Sequence, residues 1–361
     1  MSETDFATRV GQILEAGALN VALGLGYQLG LFEALDGAGA LSSDELAAKA
    51  DLNPRYVHEW LGAVLAGGVV ELAPDDPTRF VLPDAHALVL CRRGGAQNLG
   101  VYTQELGLLV EGALSGVRAG FRTGQGLGYE SYPAFHAFMG ELADRKHEQA
   151  LVGEFLPSVA EGAIEARLRA GGAACDLGCG SGRALLLLAA AFPASEFVGV
   201  DLDEGALEAG RDAARAAGLT NVEFLTRDAA RLAEAPGELA ARFDWVSAFD
   251  AIHDQLDPAA ALRGARALLK DGGVFSLVDI AAESELAENA ERPLGAFLYT
   301  VSLLHCLPIG LGPEGKGAGL GMLWGRQRAL DLLAEAGFEV EVAEIPNDPF
   351  NVHYCCRLSS A

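Results

Sequence analysis

The stretch Ala174-Cys175-Asp176-Leu177-Gly178-Cys179-Gly180-Ser181-Gly182-Arg183 sets an acidic residue and three alternate glycines between two apolar runs. The pattern reads as the end of a buried strand, a tight turn and the start of a helix over residues 184–191. Glycine admits positive φ there and lacks the Cβ that would hold a ligand away from the backbone. The turn therefore marks a nucleotide-like cofactor site. Glycines at this spacing occur in many α/β proteins, so the surrounding residues must decide which cofactor is meant.

Beyond the turn, strand-like and helix-like segments alternate. Strands are expected over residues 173–177, 197–200, 222–225, 245–249 and 274–278, each followed by a helix or loop. That alternation implies an α/β protein with a Rossmann-like, doubly wound parallel sheet. A helix over 327–336 closes at Gly337, and strands over 339–344 and 352–357 follow it with no crossover helix between them. Such a pair must run antiparallel, so the last strand opposes the rest of the sheet.

In an open sheet of this kind, ligands bind beyond the carboxyl ends of the strands. Four segments fall there: the turn from Asp176 to Gly182, Asp201 with Leu202, Asp228 with Ala229, and Phe249 with Asp250. A carboxylate after the second strand suits ribose hydroxyls, and Leu202 would lie against an adenine face. A dehydrogenase shares this much. Asp176, immediately before Leu177 and the first glycine, suits a cationic ligand better than a pyrophosphate.

Upstream, the small and apolar residues between Thr8 and Leu35 recur at helical spacing, with little polar surface. A dimer interface through these helices is expected. Ser42 or Ser43 can cap the next helix, with Glu45 completing the cap. Pro54 opens a second helix, and residues 69–72 and 79–82 flank a turn at Asp75-Asp76-Pro77. Helix, helix and hairpin make a winged helix in a mainly helical N-terminal domain. Between Leu41 and Leu90, three basic residues stand against eight acidic ones. That balance opposes groove binding, because phosphate contacts supply much of DNA affinity.

The net charge of −24 likewise argues against nucleic-acid or anionic-membrane partners. No run approaches the length of a membrane-spanning helix, and Met1-Ser2-Glu3-Thr4-Asp5 lacks the basic start of a signal peptide, so a cytoplasmic protein is expected. The six cysteines form no metal-type pair and read as small buried residues.

At these residues the chain resembles the class I S-adenosylmethionine-dependent methyltransferases, specifically the bacterial small-molecule type with an N-terminal winged helix. The likeness rests on Asp176-Leu177-Gly178-Cys179-Gly180-Ser181-Gly182, Asp201, Thr226-Arg227-Asp228-Ala229, Phe249-Asp250-Ala251-Ile252-His253-Asp254-Gln255 and Gly319-Leu320-Gly321-Met322-Leu323-Trp324-Gly325. It implies that Asp176, Gly178, Cys179 and Gly180 meet the methionine part of S-adenosylmethionine and Asp201 the ribose. It assigns Asp228 and Ala229 to the adenine, and Phe249 and Asp250 to the region of the sulfonium. The winged helix then serves dimerisation and closure of the substrate pocket. A regulator that keeps the cofactor fold and binds DNA or protein through its winged helix is the alternative.

The candidate catalytic pair is His253, whose imidazole suits proton removal near neutral pH, and Asp254, which would orient it. The competing role for His253 is capping the helix that begins near Asp257-Pro258. A divalent ion among Asp250, Asp254, Asp257 and Asp279 is a further alternative, but solvation and cofactor contact explain these acids more simply, and no metal is expected. Three regions are expected: a helical dimerisation and winged-helix domain over 1–93, a helical connector over 94–165, and a cofactor domain over 166–361. An insertion over 281–325 reads as a substrate lid. Around the acceptor, Tyr132, Phe135 and Met139 of the connector, an aromatic-rich stretch that also holds Tyr129, His136 and Phe138, would join Tyr299, His305 and Trp324.

Overall fold

In the computed structural model, which describes residues 3–132 and 135–359, the chain forms two compact units, Met1–Glu111 and Gly112–Ala361.

The first unit opens with a helix over Glu3–Gln28 and a short one over Leu31–Leu35. Ser42 caps the helix Ser43–Ala50: its hydroxyl accepts the Glu45 N–H at 3.3 Å while the Glu45 carboxylate accepts the Ser42 N–H at 2.8 Å. This reciprocal box satisfies two backbone donors that a helix start leaves open. Asn53 caps Pro54–Ala66, whose Val57, Leu61 and Val64 are buried, and Trp60 donates its indole N–H to the Ala22 carbonyl at 2.8 Å. The wing is β1 (Glu71–Ala73) against β2 (Asp76–Val81). Its turn falls earlier than the composition suggests, because Asp76 and Pro77 already belong to β2; a two-stranded ribbon leaves proline an outward side that needs no donor. On the second helix of the motif, Arg55 is paired with Glu59. Phe6, Ile13, Leu14, Val21 and Leu25 of the first helix are roughly half exposed or more.

The second unit is built on seven strands, β3 (Ala173–Leu177), β4 (Glu196–Asp201), β5 (Val222–Thr226), β6 (Phe243–Phe249), β7 (Leu269–Ile280), β8 (Phe338–Ile345) and β9 (Asp348–Leu358), in the order β5-β4-β3-β6-β7-β9-β8. β3 to β7 are mutually parallel, and β9 runs antiparallel between β7 and the edge strand β8. Alternate residues feed two cores. Ala174, Trp245 and Val274 join Leu185, Leu188 and Leu207 on one face; Cys175, Val246 and Phe275 join Leu262, Ala265 and Leu333 on the other. Burying both faces explains why the strands read as continuous apolar runs. Each fully buried Leu or Phe contributes about 1.5–3 kcal/mol to that packing.

The chain steps from β3 outward to β4 and β5, then returns across β3 to β6. The strand order thus reverses at β3, and the helices leaving β3 and β6 diverge there. Their carboxyl ends frame a crevice at which side chains from four consecutive strand ends are gathered.

Candidate functional site

The glycine turn leaves β3 with Gly178, Gly180 and Gly182 all at positive φ. Gly182 is required by packing, since a Cβ there would lie 2.1 Å from the Phe224 ring. Gly180 is different: at φ +53 nothing lies within 4 Å of where its Cβ would stand, so this part of the turn faces open space. The free backbone face there is the one that a ligand can approach.

Behind the turn, Asp176 is buried and accepts a hydrogen bond from the Ser247 hydroxyl at 2.7 Å. The two residues are partners in the β3–β6 register, so the bond follows from strand pairing. Burial pushes the Asp176 carboxyl up to about 7; Ser247 pulls it back and the neighbouring Asp201 pushes it further up. A carboxylate held this way is poised to ionise against a cation. Ser247 carries no motif of its own in the sequence; only the register reveals it.

Asp201, at the end of β4, ties the turn together. One oxygen accepts the Gly180 N–H at 2.8 Å and the other the Asp203 N–H at 2.9 Å. Each oxygen keeps a lone pair for a ligand hydroxyl. Leu202 beside it is 60% exposed, an unusual position for a leucine without something to cover. Cys179 is half-buried, its thiol against the Gly180 carbonyl at 3.6 Å. After β5, Asp228 accepts the Ala230 N–H at 2.9 Å and starts a single helical turn, and Ala229 is buried in the core. Beyond β6, Phe249 packs edge-on against His147 and Phe155, with centroids 5.0 and 5.7 Å away. Asp250 adopts φ +50, a conformation rare outside glycine, and its carboxylate accepts the Asn351 side-chain amide. Strain of this kind concentrates at functional turns.

His253 is buried in the loop after β6. Its Nδ1 lies 2.7 Å from Asp279 Oδ1 on β7, while Nε2 lies 3.5 Å from Asp254 Oδ1. Asp279, rather than Asp254, is therefore the residue that orients the ring, because only the shorter contact is a hydrogen bond. Nor does His253 cap the following helix: Asp257 does so, accepting the Ala260 N–H at 2.9 Å. Burial works against charge on the His253 ring, but Asp279 and Asp254 outweigh it and hold its pKa well above the usual histidine value. Of the four acids considered as a metal set, Asp250, Asp257 and Asp279 are engaged with Asn351, the helix cap and His253 respectively. Asp254 alone stands in a cluster of metal-ligating groups, with His253 and Cys306. Asp254 Oδ1 and Asp279 Oδ2 are buried without a hydrogen-bond partner.

Of the candidate acceptor residues, Tyr132 and Phe135 are brought against His305, with ring centroids 5.0 and 4.5 Å apart. The Tyr132 hydroxyl donates to the Leu304 carbonyl at 2.6 Å, and the Leu127 N–H donates to the Pro308 carbonyl at 2.9 Å. The insertion and the connector are thereby stitched together around His305. The other three candidates are placed elsewhere. Met139 is exposed, Tyr299 accepts the Asn289 amide at 3.2 Å, and Trp324 is buried in the sheet core with Ala329 and Leu333. The side chain of His136 lies outside the described residues. Cys306, which sequence reasoning had set aside as a small buried residue, sits beside His305 with its thiol pushed up to about 12 by burial.

Residues 168–298 match the family model for a methyltransferase domain, and residues 17–92 match that for the Rv2258c-like winged HTH domain. The chain thus carries a methyltransferase domain behind an N-terminal winged helix-turn-helix domain. It is 29% identical over 171 residues to trans-aconitate 2-methyltransferase of Methylobacterium radiotolerans, covering 47% of this chain and 58% of that protein, so it spans little more than half the length of that curated relative. Among solved structures, mitomycin 7-O-methyltransferase MmcR superposes with a TM-score of 0.70 at 18% identity over 98% of each chain. Human N-acetylserotonin methyltransferase, solved in complex with S-adenosylmethionine, gives 0.65 at 14% identity over 100% of each chain. At these identities the likeness shows the fold: a methyltransferase sheet whose last strand is antiparallel.

Proposed function

We propose that this protein transfers the methyl group of S-adenosylmethionine to a small-molecule acceptor. The observation that carries the reading is Asp176, a buried carboxyl with no cation beside it among the described residues, placed behind a glycine turn whose Gly180 faces open space. A ligand with an ammonium group and no phosphate answers both features. S-adenosylmethionine supplies an electrophilic methyl on a sulfonium, so the chain has mainly to align the reactants and exclude water.

Within that reading, Asp176, Gly178, Cys179 and Gly180 hold the amino-acid end, and Asp201 takes the ribose hydroxyls with its remaining lone pairs. Leu202, Asp228 and Ala229 frame the adenine; Phe249 and Asp250 border the methyl. His253 and Asp254 are assigned to the acceptor, with Nε2 of His253 as the acting atom, since Nδ1 is occupied by Asp279. Tyr132, Phe135 and His305 form the apolar wall on which a flat acceptor rests. The mitomycin relative's name favours an oxygen nucleophile.

Residues 281–325 act as a lid in this proposal, and its binding to the 124–132 segment is what a closed lid would make; ligand-dependent protection from proteolysis tests it. The three-part division into 1–93, 94–165 and 166–361 frames the same scheme. A homodimer through the exposed face of the first helix, in the cytoplasm, completes it; among the described residues no helix is long and apolar enough to cross a membrane. Calorimetry with S-adenosylhomocysteine against NAD is the decisive first experiment. Binding of the homocysteine compound is expected, and a preference for NAD overturns the proposal. Full turnover by His253→Ala on an identified acceptor, at unchanged cofactor affinity, removes His253 from the mechanism.

A further inference from the structure

We propose that Ser247 is a positioning residue for cofactor binding: its hydroxyl holds the Asp176 carboxylate in the orientation, and in the ionised form, that receives the cation of the cofactor. The identity of that cation rests on the methyltransferase reading; the hold of Ser247 on Asp176 does not.

β6 lies in the interior of the sheet between β3 and β7, with both faces covered, where side chains are expected to be apolar throughout. Trp245, Val246 and Ala248 follow that rule, and Ser247, 1% exposed, breaks it. A hydroxyl buried so deeply is costly unless it is hydrogen-bonded, so the serine depends on its partner. Register supplies one. Ser247 stands beside Asp176 of β3 on one side and Ser276 of β7 on the other. The Ser276 oxygen already accepts the Trp245 indole N–H at 2.9 Å and lies 2.9 Å from Nε2 of His353. The Cys175 carbonyl is 3.5 Å from the Ser247 hydroxyl, whereas Asp176 Oδ1 is at 2.7 Å, the length of a bond to a charged acceptor. A hydroxyl has one proton to give, and here it goes to the carboxylate.

That bond fixes the rotamer of Asp176 through Oδ1 and leaves Oδ2 for a ligand. It also acts on charge. Burial and Asp201 both push the Asp176 carboxyl upward, and the nearby thiols of Cys175 and Cys179 supply no cation; among the described residues Ser247 alone opposes them. A donor to a carboxylate favours its charged form, so Ser247 sets how much of Asp176 is ionised near neutral pH.

The test is calorimetry of S-adenosylhomocysteine on the full chain from about pH 5.5 to 8.5, wild type against Ser247→Ala. In wild type the affinity should stop rising at about pH 7, where Asp176 is ionised. In Ser247→Ala the rise should continue about one to two pH units further, with affinity at pH 7 about five- to fifty-fold lower. Ser247→Thr keeps the hydroxyl and should restore the wild-type profile. A role confined to packing would lower the melting temperature without moving that profile. A second readout needs no ligand: urea unfolding of the unliganded chain should show stability falling with pH until Asp176 is ionised, and falling about one to two units further in Ser247→Ala. If Ser247→Ala does not fold, Ser247→Cys, close in volume and a weaker donor, should move both profiles in the same direction. Wild type that binds no S-adenosylhomocysteine strikes the methyltransferase reading, and the unfolding profiles then decide whether Ser247 governs Asp176. A folded Ser247→Ala chain whose binding and unfolding profiles both match wild type overturns the proposal.

Discussion

Replacing Asp176 by Asn should make the empty protein more stable and the cofactor bind more weakly. In the folded chain, burial raises the carboxyl from 3.8 to about 7. A raised pKa in an acid means that its contribution to stability is fully present below about pH 4 and is lost as pH rises through about 7. At about pH 8 the ionised group then costs the empty protein roughly 4 kcal/mol, from three units at about 1.4 kcal/mol each. Asn keeps the shape and can still accept the Ser247 hydroxyl, now at 2.7 Å, but carries no charge. Its apo form should therefore melt several degrees higher than wild type at alkaline pH, and the difference should vanish on acidification. Binding should show the opposite preference. The amino group of S-adenosylhomocysteine, that of a free amino acid, stays cationic across this range, so wild-type affinity should fall about tenfold for each pH unit below about 7, as Asp176 takes up a proton. In Asp176→Asn that slope should disappear, with affinity at neutral pH lowered by about 1.5–3 kcal/mol, the worth of a hydrogen bond to a charged group. Calorimetry and thermal melts across about pH 5.5 to 8 measure both. An Asn variant that binds as tightly as wild type, with the same pH slope, would refute the assignment of Asp176 to the cofactor's cation.

The glycine turn separates packing from binding. Gly182→Ala should lose about 2–5 kcal/mol in urea unfolding, because it combines positive φ with a clash against Phe224, whereas Gly180→Ala should lose only about 1–2 kcal/mol yet weaken S-adenosylhomocysteine binding more. His353 has its pKa lowered to about 4 by burial, with Nε2 accepting the Ser276 hydroxyl at 2.9 Å, so stability present above about pH 6.5 should be lost as pH falls toward 4. The slope over that range should be shallower in His353→Gln, as read by chemical denaturation. Leu14→Asp, at a site 70% exposed on the first helix, should convert a dimer to a monomer by light scattering while leaving S-adenosylhomocysteine binding intact.

Local signals carried much of this architecture. Alternating apolar runs located the strands of the sheet, Ser42 and Pro54 announced helix starts through capping and backbone chemistry, and the glycine turn marked the crevice, because each of these depends on residues within a few positions of one another. The antiparallel final strand followed from the shortness of its connection. Its insertion between β7 and β8 did not, since strand order is set by which apolar faces can be covered together.

The candidate acceptor side was legible only in part, for the same physical reason. His253 and Asp254 are neighbours in sequence and could be named together, but the carboxylate that holds the histidine is Asp279, supplied by the adjacent strand. Cys306 and His305 reach that loop from an insertion some fifty residues away, and Ser247 meets Asp176 through the register of β3 with β6. Trp324, aromatic and close to a glycine-rich stretch, looked like pocket lining and is core. By itself the sequence determined the elements and the cofactor crevice, because periodicity, caps and turns are short-range. Only the tertiary structure decided which buried carboxylate serves which partner, because that depends on contacts between strands and loops whose separation along the chain carries no periodic signal.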